Sequence, residues 1–221
     1  MRICAILPAF NEAGSIEKII KEIKSNDIEV IVIDDGSDDK TKEQAKQQGA
    51  HVISHAKRRG KGVSLKDGFN YALSNNYDII ITMDADGQHE PLDIPKFIGR
   101  AKERQASVVI GNRMSNPTGM PAIRIFTNKL MSFVVSVVCR QNIPDTQCGY
   151  RLYTKEAISG ISIKARKFEI DSELLIKLAR KGYKIESVPI RSIYADERSK
   201  IRPIRDTFRF LGFLIKSLFK R

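Results

Sequence analysis

The chain is short of the groups that mark several familiar chemistries. It has three cysteines in 221 residues, Cys4, Cys139 and Cys148, odd in number and without C-x-x-C spacing. That excludes a disulfide framework and a cysteine zinc site and fits a reducing compartment. There is no G-x-G-x-x-G and no Walker-type lysine loop, so a dinucleotide-dependent oxidoreductase and a P-loop nucleotidase lose their main support. No basic n-region with an apolar h-region precedes the first apolar run, Ile3–Leu7, so no signal peptide is expected. No internal repeat or low-complexity tract appears. Histidine is scarce, with three in all, which leaves few general bases of ordinary pKa.

What the chain has in excess is positive charge. Lys and Arg number 38 against 26 Asp and Glu, a formal net charge of +12. Such a balance favours phosphate-rich partners: nucleotides, nucleic acid or an anionic membrane. At 42% hydrophobic and 29% charged residues, the composition is that of a globular protein, and the length suits one α/β domain.

Apolar runs alternate with segments of helical period, the pattern of a mostly parallel sheet flanked by helices. Strands are expected at Ile3–Leu7, Val30–Ile33, His51–Ser54, Ile79–Met83, Val108–Ile110 and Lys184–Pro189. Helices are expected around Ile16, Ile19, Ile20 and Ile23, over Thr41–Gln48, around Leu65, Phe69, Ala72 and Leu73, and over Leu92–Arg104, Ile125–Val138 and Asp171–Lys181. The Ile125–Val138 run is interrupted by Asn128, Lys129, Ser132 and Ser136, which makes it too short and too polar for a membrane span. Residues 1–202 form the expected domain. Pro203–Arg221, with Ile204, Phe208, Leu211, Ile215 and Leu218 on one stripe among basic residues, reads as an amphipathic C-terminal helix suited either to an anionic membrane surface or to packing on protein.

Three loops carry the chemistry. Met83-Asp84-Ala85-Asp86-Gly87-Gln88-His89 follows an apolar strand, and in open α/β sheets ligands bind beyond the strands' carboxyl ends. Alternate residues of an extended chain share a side, so Asp84, Asp86 and Gln88 form a hard-oxygen set suited to Mg²⁺ or Mn²⁺. Ile33-Asp34-Asp35-Gly36-Ser37-Asp38-Asp39 offers Asp35 as an acceptor for a base or ribose, while Ser37 and Asp39 suit a helix cap. The basic loop Lys57–Gly62, with Lys61, and the Gly111-Asn112-Arg113 turn are candidate phosphate contacts. Asp145 is the best candidate base, alternatively an orienter of Arg151 or of its own loop; His89 is expected to position rather than titrate, and His51 and His55 to be structural.

The ordered set PAFNE, IDDGSDD-x-T, GKG, MDADGQHEP, GNR, D-x-x-CGYRLY and a late Ser199-Lys200 resembles the inverting family 2 glycosyltransferases of GT-A (Rossmann-like) fold. Within them it is similar to the polyprenyl-phosphate branch that includes dolichol-phosphate mannose synthase. The resemblance implies a nucleoside pocket lined by Pro8, Phe10, Glu12 and Asp35, with Ile33, Lys61 and Ala85 also against the donor. It implies metal and diphosphate at Asp84, Asp86 and Gln88, a phosphate contact at Arg113, and the acceptor phosphate near Arg124 and Lys200. It further implies catalysis through Asp86, Arg113 and Asp145, a GDP- or UDP-sugar donor, a polyprenyl-phosphate acceptor, no nucleic acid, and a peripheral site on the cytoplasmic face of the membrane. That branch carries R-x-R-G-x-S-K near the end, where this chain reads Tyr194-Ala195-Asp196-Glu197-Arg198-Ser199-Lys200. Three other readings stand beside it: transfer to a saccharide or protein hydroxyl; sugar nucleotidyl transfer, which usually needs an N-terminal Gly-rich basic loop where this chain has Pro8-Ala9-Phe10-Asn11-Glu12; and a non-catalytic basic module for membrane or nucleic acid.

Overall fold

The computed structural model describes residues 1–165, 167 and 169–193. Lys200 and the expected 203–221 helix lie outside the described residues, as does the 202/203 boundary.

Seven strands, β1 (Ile3–Ala9), β2 (Glu29–Asp34), β3 (His51–Ser54), β4 (Ile79–Thr82), β5 (Val108–Asn112), β6 (Arg151–Thr154) and β7 (Ile185–Pro189), form one sheet in the order β3-β2-β1-β4-β6-β5-β7. All pairings are parallel except those of β6, which runs antiparallel to both β4 and β5. The sheet is thus mostly parallel, as the alternating pattern implies. The expectation lacked β6, because four residues, Arg151-Leu152-Tyr153-Thr154, bounded by a charge and a hydroxyl, carry no apolar run.

Strand residues alternate between two cores, since neighbouring side chains leave opposite faces of a pleated sheet. Cys4, Ile6, Ile31, Ile33, Ile80, Val108 and Ile110 point to one side, under α3 (Lys61–Ser74), α5 (Ala122–Cys139) and α7 (Ile170–Arg180). Ala5, Leu7, Val30, Val32, Ile81 and Val109 point to the other, under α1 (Ile16–Lys24), α2 (Thr41–Gln47) and α4 (Ile94–Arg104). In α1 the four isoleucines at i, i+3, i+4 and i+7 are all buried, so the helical period became a packed face. The expected Leu92–Arg104 helix begins as a 3₁₀ turn at Pro91–Asp93. A one-turn helix, α6 (Lys155–Ile158), closes on Thr154, whose hydroxyl accepts the Ala157 amide.

The topology sets the position of the site. Strands β1, β2, β4 and β5 deliver their carboxyl ends to one edge of the sheet. Being antiparallel, β6 starts at that same edge, so the Asp145–Tyr150 segment before it arrives beside the loops after β4 and β5.

Candidate active site

Lys61, at the first position of α3, is the hub. Its Nζ lies 2.7 Å from Asp84 Oδ1, beyond β4, and 3.1 Å from Asp171 Oδ2, in the first turn of α7. Burial pushes a lysine towards neutrality, but the two carboxylates overcome this and hold the ammonium above its ordinary pKa. Burial likewise opposes ionisation of Asp84, and Lys61 more than offsets it, so the Asp84 carboxyl sits below its usual range. Residues far apart in sequence are thereby fixed around one buried positive charge.

Gly149 makes that approach possible. A Cβ there would stand 2.6 Å from Asp84 Oδ2 and 2.7 Å from Lys61 Nζ, so any side chain at this position would have to push one of these groups aside. Beneath it, Arg151 is fully buried and donates from Nε to the Cys148 carbonyl (2.7 Å), from Nη2 to the Thr146 carbonyl (2.8 Å) and from Nη1 to the Asp171 carbonyl (2.6 Å). These charge-assisted bonds lock the loop to α7. Asp171, Gly149 and the anchoring part played by Arg151 escaped the sequence reading. The D-x-x-CGYRLY motif flags their neighbourhood, but nothing local announces a contact with Lys61.

Arg113, directly after β5, forms a buried bidentate pair: Nε to Asp145 Oδ2 at 2.7 Å and Nη2 to Asp145 Oδ1 at 2.9 Å, with its backbone N–H also on Oδ2 at 3.1 Å. Asp145 is 0% exposed. This corrects the expectation of a base there: both oxygens are committed to Arg113, so Asp145 holds that guanidinium. Of the alternatives, orienting Arg151 fails, since Arg151 pairs with backbone carbonyls and Asp171 instead, whereas the pair with Arg113 does fix the loop that carries Asp145.

In the Asp84–Gln88 loop the extended geometry ends sooner than expected. β4 stops at Thr82, and the chain turns at Gly87, whose φ is +74°, with the Gln88 amide donating to Asp86 Oδ1 at 3.0 Å. Ala85 is buried and its carbonyl accepts Ser15 Oγ at 2.6 Å, tying the loop to the start of α1. Among the described residues no three His, Cys, Asp or Glu side chains converge as a cage. A metal here would therefore draw on hard oxygens of Asp84, Asp86 and Gln88, completed by donor oxygens and water. His89 is buried; burial depresses it to about 4 despite the nearby Asp84, so at neutral pH it is an uncharged ring packed near Tyr150 (centroids 5.4 Å apart), as a positioning residue would be.

The nucleoside side is framed by β1 and β2. Asp35 Oδ1 accepts the Arg59 amide at 2.8 Å and meets His55 Nδ1 at 2.7 Å, while Oδ2 accepts the Gly60 amide at 2.8 Å. This buried carboxylate, expected at the nucleoside, clamps the 57–60 loop. His55, which also touches Asp67 at 3.0 Å, is structural as expected, and His51 stacks on Tyr71. Gly36, at φ +76°, lets that loop cross: a Cβ would lie 2.8 Å from the Lys57 carbonyl carbon. The Arg58 guanidinium sits 4.1 Å over the Phe10 ring. Pro8 and Glu12 are half-buried at the same edge, with the Glu12 amide on Thr41 Oγ1 at 2.8 Å. Ile33 is corrected: it is wholly buried in the α3-side core and presents no side chain to a ligand. Arg124 is half-buried in the first turn of α5, one loop beyond Arg113.

Comparison with known proteins agrees with this architecture. An uncharacterised protein of Methanocaldococcus jannaschii is 35% identical over 200 residues, 88% of this chain and 82% of that one. A protein of Methanococcus voltae named UDP-N-acetylglucosamine–dolichyl-phosphate N-acetylglucosaminyltransferase is 30% identical over 86% of this chain and 85% of its own. In fold, glucosyl-3-phosphoglycerate synthase of Mycobacterium tuberculosis, solved with Mn²⁺, UDP and phosphoglyceric acid, superposes with a TM-score of 0.76 at 21% identity, over 98% of this chain and 77% of that one. Residues 4–161 match the family described as glycosyl transferase family 2; with the sheet order and the strand-end carboxylates in place, the chain belongs to that family and is a glycosyltransferase of GT-A-like fold.

Proposed function

We propose that the chain transfers a sugar from a nucleoside-diphosphate sugar to a polyprenyl phosphate, with inversion, at the cytoplasmic face of a membrane. The observation that carries the acceptor is the commitment of the carboxylates around the site: Asp145 to Arg113, and Asp84 and Asp171 to Lys61. A hydroxyl acceptor needs a base to take its proton. A phosphate monoester, with its second pKa near ~6, brings an oxygen already ionised at neutral pH. The dolichyl-phosphate acceptor named for the Methanococcus voltae relative supports the same reading.

The nucleoside lies between Pro8, Phe10 and Glu12 on one side and the Asp35-clamped loop on the other. Asp84, Asp86 and Gln88 would hold Mg²⁺ or Mn²⁺, which supplies positive charge to the departing diphosphate. The chain's own cations add to it. Lys61 is fixed by two carboxylates and Arg113 by one, so neither has to reorganise as charge develops on the leaving group. Arg124 and Lys200 are the proposed contacts of the acceptor phosphate. Inversion follows from in-line attack on the anomeric carbon opposite the diphosphate, the acceptor oxygen forming the new bond as the sugar–diphosphate bond breaks.

The test is a screen of radiolabelled UDP- and GDP-sugars with polyprenyl phosphate and Mg²⁺ or Mn²⁺. One donor should deliver label to the organic phase, and chelation should stop it. Label that enters only water-soluble products would refute the acceptor.

A further inference from the structure

The outer face of α5 is largely apolar, while Met131, Val134, Val135 and Val138 pack inward on the core. Ile123, Phe126, Leu130, Phe133 and Val137 are 62%, 64%, 47%, 66% and 62% exposed. They fall at alternating steps of three and four residues, one continuous stripe along the helix. The buried face is in part polar: Asn128, Ser132, Val135 and Cys139. Ser132 Oγ accepts the Thr146 amide at 2.9 Å, and the Asn128 amide meets Met120 Sδ at 3.9 Å. A helix of a water-soluble domain normally turns polar residues outward, so the outer stripe has the composition of a contact surface.

Charge identifies the contact. From Arg113 to Pro144 there is no acidic residue, and the segment carries Arg113, Arg124, Lys129 and Arg140. Lys129 and Arg140 are exposed and Arg124 half-buried. A second copy of α5 would bring like charges to like. The 203–221 segment, with Arg205, Arg209, Lys216 and Lys220, is basic as well. An anionic bilayer matches both features, apolar side chains entering the acyl boundary and cations meeting headgroups. At Ala122–Cys139 the helix is longer than the expected Ile125–Val138 run, so by length and composition, against that expectation, it could cross a membrane; but its polar face is bonded to Thr146, next to Asp145, so the helix is held against the catalytic domain.

We infer that α5 seats the domain on an anionic lipid surface, lying in the interface through Ile123, Phe126, Leu130, Phe133 and Val137. Arg124, in its first turn, then stands at headgroup depth, where the phosphate of a lipid acceptor lies. The inference rests on the lipid-acceptor reading for its purpose, but its test needs neither donor nor acceptor.

The full chain is co-sedimented with vesicles of phosphatidylcholine, with and without about 30 mol % phosphatidylglycerol. The expected result is binding that requires the anionic lipid and weakens with salt. The double variant Phe126→Ser, Phe133→Ser keeps residues 203–221, so its loss reports on α5 alone. Its binding should fall at least tenfold, with an unchanged melting temperature and unchanged transfer to a short, water-soluble polyprenyl-phosphate analogue. Unchanged vesicle binding by that variant overturns the inference, as does equal wild-type binding to both vesicle types. A lipid-free dimer that the double variant dissociates would give the stripe to a second copy and overturn it too. Loss of transfer to every polyprenyl phosphate, with vesicle binding intact, would strike the proposed function and leave this inference standing.

Discussion

Replacing Asp145 by asparagine separates two accounts of this residue. In the structure the carboxylate takes Arg113 Nε, Nη2 and backbone N–H at 2.7, 2.9 and 3.1 Å, and the two side chains are 0% and 8% exposed. Asparagine keeps the volume, but one carboxylate oxygen becomes an NH₂ that must face a donor of Arg113. The guanidinium would then lose the carboxylate that holds it on two nitrogens. Removing one partner of a buried pair costs about 3–5 kcal/mol, and at roughly 2–4 °C per kcal/mol for a chain of this size the melting temperature should fall by about 6–20 °C. A positioning role also lowers kcat/KM for the donor, since Arg113 loses its fixed place, and leaves the shape of the pH–rate profile unchanged. A base would behave otherwise: kcat would drop by about 10²–10⁴ with its acid limb abolished and the melt intact. That second pattern would refute the assignment of Asp145 to Arg113.

Three further outcomes follow from the same geometry. Gly149→Ala should displace the Asp84 carboxylate or the Lys61 ammonium, because its methyl would lie 2.6 and 2.7 Å from them; calorimetry should show nucleoside diphosphate with Mn²⁺ binding at least tenfold more weakly, and unchanged binding would contradict a role for that placement. Asp86→Ala should abolish transfer while moving the melt by no more than about 2 °C, as expected for a change outside the core; full activity in metal-replete buffer would remove Asp86 from the metal site. Burial raises the Cys148 thiol to about 12 and Cys139 to about 11, so native protein should resist thiol reagents at pH 9. Because these folded-state values lie above the unfolded ones, their contribution to stability is intact below about pH 8.5 and is lost as pH rises towards the folded values. Stoichiometric labelling of native protein at pH 7 would show the burial to be wrong.

The parts of the molecule that depend on local pattern were legible in the sequence. The isoleucines of α1, the apolar runs of β1, β2 and β4, and the placing of both aspartate loops at strand ends all follow from periodicity and from the rule that α/β ligands gather at carboxyl edges. What lay hidden depends on contacts across long separations. Nothing near Lys61 tells that Asp171, 110 residues on, shares its ammonium, and the pairing of Asp145 with Arg113 rather than Arg151 requires knowing that β6 runs antiparallel. Ile33 illustrates the converse: it adjoins Asp34 and Asp35 in sequence, yet the pleat turns its side chain into the core. The stripe on α5 was ambiguous for a related reason, since apolar residues surround that helix and only packing reveals which of them stay exposed.

The central claim is that the acceptor supplies its own ionised oxygen. Offering the enzyme polyprenyl phosphate and the matching polyprenol, equal in chain length and dispersed in the same detergent, with the active donor and metal, tests it directly. The account predicts label on the phosphate alone, with the glycosyl group linked through phosphate and inverted at its anomeric carbon. Comparable transfer to the alcohol would contradict it and require a base that the committed carboxylates do not provide.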